Sequence, residues 1–151
     1  MNTITKRICG TLAPLGLVAT VATTSRASSQ SAFLGQPQNP AAYSCFTNNG
    51  GTVENRCSTE QRFCMALPVN SPSHTIEVDV LQTAEGAIVG CFAAAVNPNG
   101  TGAAGTAEFF VGDTFGTSVM LQLGTLTVPN QGALFVCCDA TTGGVINTVN
   151  Y

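Results

Sequence analysis

The chain has no tryptophan, two tyrosines, one histidine and five basic side chains in 151 residues, and each shortage excludes something. Lysine and arginine are what displace counterions from a phosphate backbone. Of the five, Lys6, Arg7 and Arg26 crowd the N-terminus, leaving Arg56 and Arg62 against eight acids for everything after it. A nucleic-acid partner is therefore not expected, nor is attraction to an anionic lipid surface. A Ser-His-Asp arrangement would need the lone imidazole, His74, between a nucleophile and an orienting acid, and no serine sits in a nucleophile elbow. His74 reads as a solvated surface residue, and no catalytic residue is assigned. There is no Cys-x-x-Cys pair for zinc and no regular Asp-x-Asp loop for calcium, so no metal or other cofactor is expected. Long helices are excluded too, because 16 glycines and seven prolines leave few stretches free of turn formers.

What is present begins with an export signal over residues 1–27. Lys6 and Arg7 give the positive start, residues 8–22 are apolar or small, and Ser25-Arg26-Ala27 offers small residues at a cleavage position. Gly10, Pro14 and Gly16 dilute a run already short of the roughly 20 residues that span a bilayer. Cleavage after Ala27 leaves no segment for membrane insertion and predicts a secreted, periplasmic or cell-surface protein. It also removes Cys9, so that seven cysteines become six: an even count in an exported chain, read as three disulfides.

Residues 28–42 are polar, carry two prolines and show no period, so they form an extended or disordered arm with Phe33 and Leu34 as its docking residues. A single domain follows over residues 43–151. Strands are expected at 43–46 and 51–55 around an Asn-Asn-Gly-Gly turn, and in RFCMALP. HTIEVDVL alternates Ile76, Val78 and Val80 with Glu77 and Asp79, as a half-buried strand does. Val119, Leu121 and Leu123 share one parity while Leu126 and Val128 share the other, and a bulge at Gly124 would bring both sets to one face. GALFVCCDA, residues 132–140, reads as a strand buried on both faces, with Phe92, Phe109 and Phe135 in the core. About eight or nine short strands at regular spacing predict an all-β, mostly antiparallel, disulfide-stabilised sandwich.

The vicinal cysteines sharpen this expectation. Successive side chains on a strand point to opposite faces, so Cys137 and Cys138 should reach different partners, one of them across the core. Many pairings are open to six cysteines. The preferred set is Cys45–Cys64, Cys91–Cys137 and Cys57–Cys138, with Cys137 and Cys138 able to exchange roles. The order YSC, GTVEN, FCMALP, IEVDV, VGCF and LFVC, over residues 43–138, resembles a group of small exported bacterial proteins of uncharacterised role. The resemblance implies an exported, disulfide-bonded β-sandwich and transfers no activity. This chain departs from the group in a longer step from Cys64 to Pro68 and in carrying Cys57 and one of the vicinal pair.

Three functional readings are carried forward. The first is a non-enzymatic exported structural or interaction module of the cell envelope or extracellular space, meeting a protein or a glycan at the cell surface. The second is a filament or assembly subunit whose 28–42 arm adds to a neighbour's sheet, so self-association stays open. The third is a small secreted carbohydrate-binding protein or hydrolase. For that reading the ligand contacts are Phe115 and Asp113, a ring and an acid on a glycine-rich loop. Glu77 and Asp79 read as solvated acids on a polar strand face. Glu108, in the apolar run AEFFV, is the unusual acid, and together with Asp113 it raises a calcium site that no regular loop supports.

Overall fold

The computed structural model describes residues 28–69 and 72–151; the expected export segment lies outside these. The described residues form twelve strands: β1 (Ser29–Ser31), β2 (Gln36–Pro37), β3 (Phe46–Asn49), β4 (Thr52–Asn55), β5 (Gln61–Leu67), β6 (Ser73–Gln82), β7 (Val89–Val96), β8 (Gly102–Gly105), β9 (Phe109–Val111), β10 (Val119–Thr127), β11 (Ala133–Ala140) and β12 (Gly144–Asn150). They make two antiparallel sheets. The first runs β10-β6-β12-β4-β3 with β1 also on β12, and the second runs β2-β5-β11-β7-β8 with β9 also on β7. The fold is a disulfide-stabilised β-sandwich. The strands beyond the expected nine are β1, β2 and β8, each only two to four residues long and without an alternating pattern.

Alternation fixes the core. Ile76, Val78 and Val80 of β6 and Leu134, Val136 and Cys138 of β11 all lie fully buried in the one core between the sheets, while Glu77 and Asp79 stay on the outer side. The β10–β6 register shifts between Gln122 and Gly124, and Gly124 sits at φ +98°, a backbone glycine adopts without steric cost. That bulge brings Leu121, Leu123, Leu126 and Val128 all into the core.

Several expectations need correction. The strand β11 is buried on one face only: Phe135, Cys137 and Asp139 are half-covered on the outside of the second sheet. Phe92 is half-buried on the same outer face and Phe109 is exposed, so the core is aliphatic and sulfur-rich, with Phe63 as the one buried phenylalanine among the described residues. His74 is 6% exposed, because its even parity in β6 places it with Ile76 on the inner side, its ring 6.0 Å from that of Tyr151. Residues 40–45 form a 3-10 helix rather than a strand, since Asn39 caps it and Pro40 supplies the fixed φ of a first helical position.

The pairing of cysteines also differs from the preferred set. The bridges are Cys45–Cys57, Cys64–Cys137 and Cys91–Cys138, so Cys45–Cys64, Cys91–Cys137 and Cys57–Cys138 are replaced. The vicinal pair does split to opposite faces, but each member bonds to the residue directly beside it in the same sheet: Cys137 to Cys64 on β5, Cys138 to Cys91 on β7. Cys45 and Cys57 close the base of the β3–β4 hairpin. No bridge among the described residues crosses between the sheets: Cys64–Cys137 and Cys91–Cys138 each join register partners on neighbouring strands of the second sheet, and Cys45–Cys57 ties the two ends of one hairpin of the first. Three disulfides are the chemistry of an oxidising, non-cytoplasmic compartment. No helix among the described residues is long and apolar enough to cross a membrane.

Buried amides stitch the sheets instead. Gln30, Asn55 and Gln82 belong to the first sheet and lie in the interior. Gln30 Nε2 donates to the Ala66 carbonyl at 3.1 Å, Asn55 Nδ2 to that of Ala140 at 2.7 Å, and Gln82 Nε2 to that of Val111 at 3.1 Å, all three acceptors being in the second sheet.

Residues 28–45 are ordered across one side of the sandwich, β1 on β12 and β2 on β5 of the same chain. The crossing between sheets needs small residues. Ala32 is fully buried, and a Cβ on Gly35 would meet the Phe63 ring and the Cys64 carbonyl at 2.5 and 2.6 Å. Phe33 and Leu34, expected to dock, are 57% and 68% exposed, because the turn that buries Ala32 swings the next two side chains outward.

Candidate binding surface

The outer face of the second sheet carries an unusual row of side chains. Ile88, just before β7, shares the parity of Gly90 and Phe92 on that strand, and Gly90 pairs with Phe110 of β9. The Phe110 ring lies over Gly90, filling the space a Cβ would take, so ring and glycine require one another. Ile88, Phe110 and Phe92 thus follow one another along the strand as an apolar ridge, with Phe110 60% exposed. At its inner end the Arg62 guanidinium lies 5.0 Å from the Phe92 ring centroid, a cation–π contact.

Arg62 also grips Asp139 with two hydrogen bonds, Nε to Oδ1 at 2.7 Å and a second from Nη2 to Oδ2. Register places them directly opposite on β5 and β11. The bond to Asp139 holds Arg62 more firmly protonated than usual. Glu108, one residue before β9, turns its carboxyl toward the same aspartate. Its Oε1 is out of solvent with no hydrogen-bond donor, 2.9 Å from where a Gly90 Cβ would stand. Burial pushes the Glu108 carboxyl above its ordinary value, the charge of Asp139 and a hydrogen bond with it push the same way, and Arg62 offsets part of this. A protonated Glu108 can donate to Asp139, whereas an ionised one sets two carboxylates side by side.

The sign of the pH effect follows. Glu108 titrates higher when folded than its unfolded value of about 4.3, so its stabilising contribution is complete below that value and is lost as pH rises through the folded pKa. Glu108→Gln keeps an N–H donor for Asp139 at every pH. The gap between the denaturation midpoints of Glu108→Gln and the parent is expected to widen in the variant's favour from mildly acidic to neutral pH. A gap that is constant across that range would rule out this ionisation.

Phe115 and Asp113, the sequence-derived contacts, share the loop joining β9 to β10. Asp113 is exposed at φ +58° and Phe115 is 61% exposed. What fixes the loop is Gln82, fully buried at the end of β6. Its Oε1 accepts the Thr114 N–H at 2.8 Å and the Thr114 hydroxyl at 3.0 Å, and its Nε2 donates to the Val111 carbonyl and to that of Ala87. The Gly116 N–H then bonds to the Gln82 carbonyl at 2.9 Å. One side chain therefore ties the loop carrying Phe115 to the segment that leads into Ile88.

Other candidates separate. Glu108 turns away from Asp113 toward Asp139 and Arg62, and the described residues hold no cluster fit to bind a metal ion. Glu77 and Asp79 stand on the first sheet's outer face, where Asp79 accepts a hydrogen bond from Ser118. A cleft of about 460 Å³ at the opposite end, between Val69, Pro72 and residues 128–132, has no ionisable side chain among its described walls. Asp139 escaped the sequence reading. Its signal was present, however: an acid and an arginine, each embedded in an apolar strand, with parities that put both outside. Comparison with models of known protein families returns no match, and no curated protein matches the sequence.

Proposed function

We propose that this chain is a non-enzymatic, exported interaction module that recognises a protein or glycan at the cell surface. The observation that carries the reading is the placement of large apolar side chains outside the core: Ile88, Phe109, Phe110 and Phe115 are exposed on backbone held by strand pairing and by Gln82. Exposed rings on rigid supports lose little entropy on binding and serve as anchors. The signal-like segment, the three disulfides and the resemblance to small exported bacterial proteins support export. The carboxyl pair favours a structural role: Asp139 is locked by Arg62 and Glu108 leans on it, an arrangement that leaves no room for a substrate between the acids.

The test is retention of the purified, oxidised protein on washed envelopes of the source cells, alongside a glycan panel. Phe110→Ser with Phe115→Ser is expected to weaken retention about tenfold or more, two anchors being removed. The three bridges should remain intact by non-reducing peptide mapping. Undiminished retention by the double variant would defeat the proposal. Binding confined to particular glycans, lost with the two rings, would select the carbohydrate form.

A further inference from the structure

The two sides of the sandwich are finished differently. One is closed by residues 28–45, which cross between the sheets, bury Ala32 and end in the Cys45–Cys57 bridge. On the other, β10 ends the first sheet and pairs with β6 alone, while β8 and β9 end the second. No described residue pairs with the outer edge of β10. A nine-residue edge presents a row of backbone donors and acceptors at strand spacing, which is the complement of another extended strand.

Open edges are usually blunted by lysine, proline or inward charges. β10 has none of these. Residues 114–138 include no charged side chain at all, in a chain with eight acids. The register shift falls between Gln122 and Gly124, with Leu123 as the extra residue, so Val119–Gln122 is regular and Leu123, at the start of the bulge, still keeps the inward parity of Leu121.

We propose that β10 pairs antiparallel with β10 of a second copy of this chain, about a twofold axis at Leu121. Charge selects this occupant, because self-pairing of an acidic protein is tolerable only where no acid meets an acid, and this edge meets that condition. Alternation agrees. About Leu121, Val119 stands opposite Leu123 and Leu121 opposite its own copy, all on the core-facing side, while Met120 stands opposite Gln122 on the outer side. The two first sheets then become one, and each core row continues into the next. Centring the axis on Leu123 would run the pairing across the bulge and set core-facing against outward residues, so Leu121 is the register the edge allows.

The experiment uses the exported, oxidised protein in sedimentation velocity. The parent is expected at twice the chain mass. Met120→Lys with Gln122→Lys sets lysines opposite one another across the axis. The same lysines stand beside Asp79 and Glu77 of β6 within each copy, which preserves the monomer's sheet. This variant is expected to halve the mass while keeping three bridges. As a register test, Met120→Cys protein mixed with Gln122→Cys protein should form a crosslinked heterodimer, and neither should crosslink alone. A parent that stays monomeric across the micromolar range overturns the proposal. So does a dimer that survives the lysine pair, or cysteines that crosslink equally in every combination.

Discussion

Replacing Cys91 and Cys138 together by alanine is expected to be the most damaging of the three possible bridge deletions. The chain-entropy estimate for closing the 47-residue separation is about 4 kcal/mol, against about 4.4 for the 73 residues between Cys64 and Cys137 and about 2.8 for the 12 between Cys45 and Cys57. Loop length alone would rank Cys64–Cys137 first. Burial reverses the order. Cys91 and Cys138 are fully buried among Val89, Val136 and Met65, so their loss adds a cavity in the core, whereas Cys64 and Cys137 are half-exposed on the outer face and leave none. A domain of this size holds roughly 5–15 kcal/mol in total, so the inner deletion should leave it marginal or unfolded. Denaturation midpoints of the three double-alanine variants would check the ranking. Equal losses for the inner and outer pairs would show that cross-linking outweighs packing here.

The fold class was legible because strand alternation is a local property. HTIEVDVL displays its inner and outer faces directly, and the change of parity between Leu123 and Leu126 announced a bulge that Gly124 supplies. The vicinal cysteines likewise announced a strand with a bond on each face. Their partners were not legible, since a cysteine's partner depends on which strands are neighbours and in what register, and neither is written locally. Cys45–Cys57 was missed although the two flank a hairpin whose turn was plain, because residues 40–45 form a 3-10 helix and bring Cys45 to the base of the hairpin. The misplaced phenylalanines have a different cause. Phe110 is tolerated outside because Gly90 gives its ring a flat seat, and Phe92 because Arg62 lies over it. Both depend on cross-strand neighbours. For the candidate surface, Phe115 and Asp113 were visible as a loop with a ring and an acid, but what makes that loop rigid was not. Gln82 could have been suspected from its even parity with Ile76, Val78 and Val80, which put an amide on the core face.

That amide carries the second large expected effect. Gln82→Leu fits the same space without polar atoms, and it leaves the Val111 carbonyl, the Ala87 carbonyl and the Thr114 N–H without their partner. A buried group left unsatisfied costs about 1–3 kcal/mol. Ala87 is buried and so is Val111, while Thr114 is half-covered and can recover a bond from water, so the expected loss is about 3 kcal/mol or more. The same change at Gln38, exposed on the arm, should fall within about 0.5 kcal/mol and serves as the control. The effect should not stop at stability. Without the Gln82 amide, the loop keeps the Gly116 N–H bond to the residue 82 backbone carbonyl but loses its side-chain anchor at Thr114, so the Thr114 amide should exchange with solvent faster than its strand neighbours, and any ligand resting on Phe115 must order that part of the loop itself. Binding through Phe115 is therefore expected to weaken in Gln82→Leu although no contact residue has changed. If the Thr114 amide stays as protected as in the parent, the loop is held by something other than this side chain, and the rigidity assigned to the surface has another source.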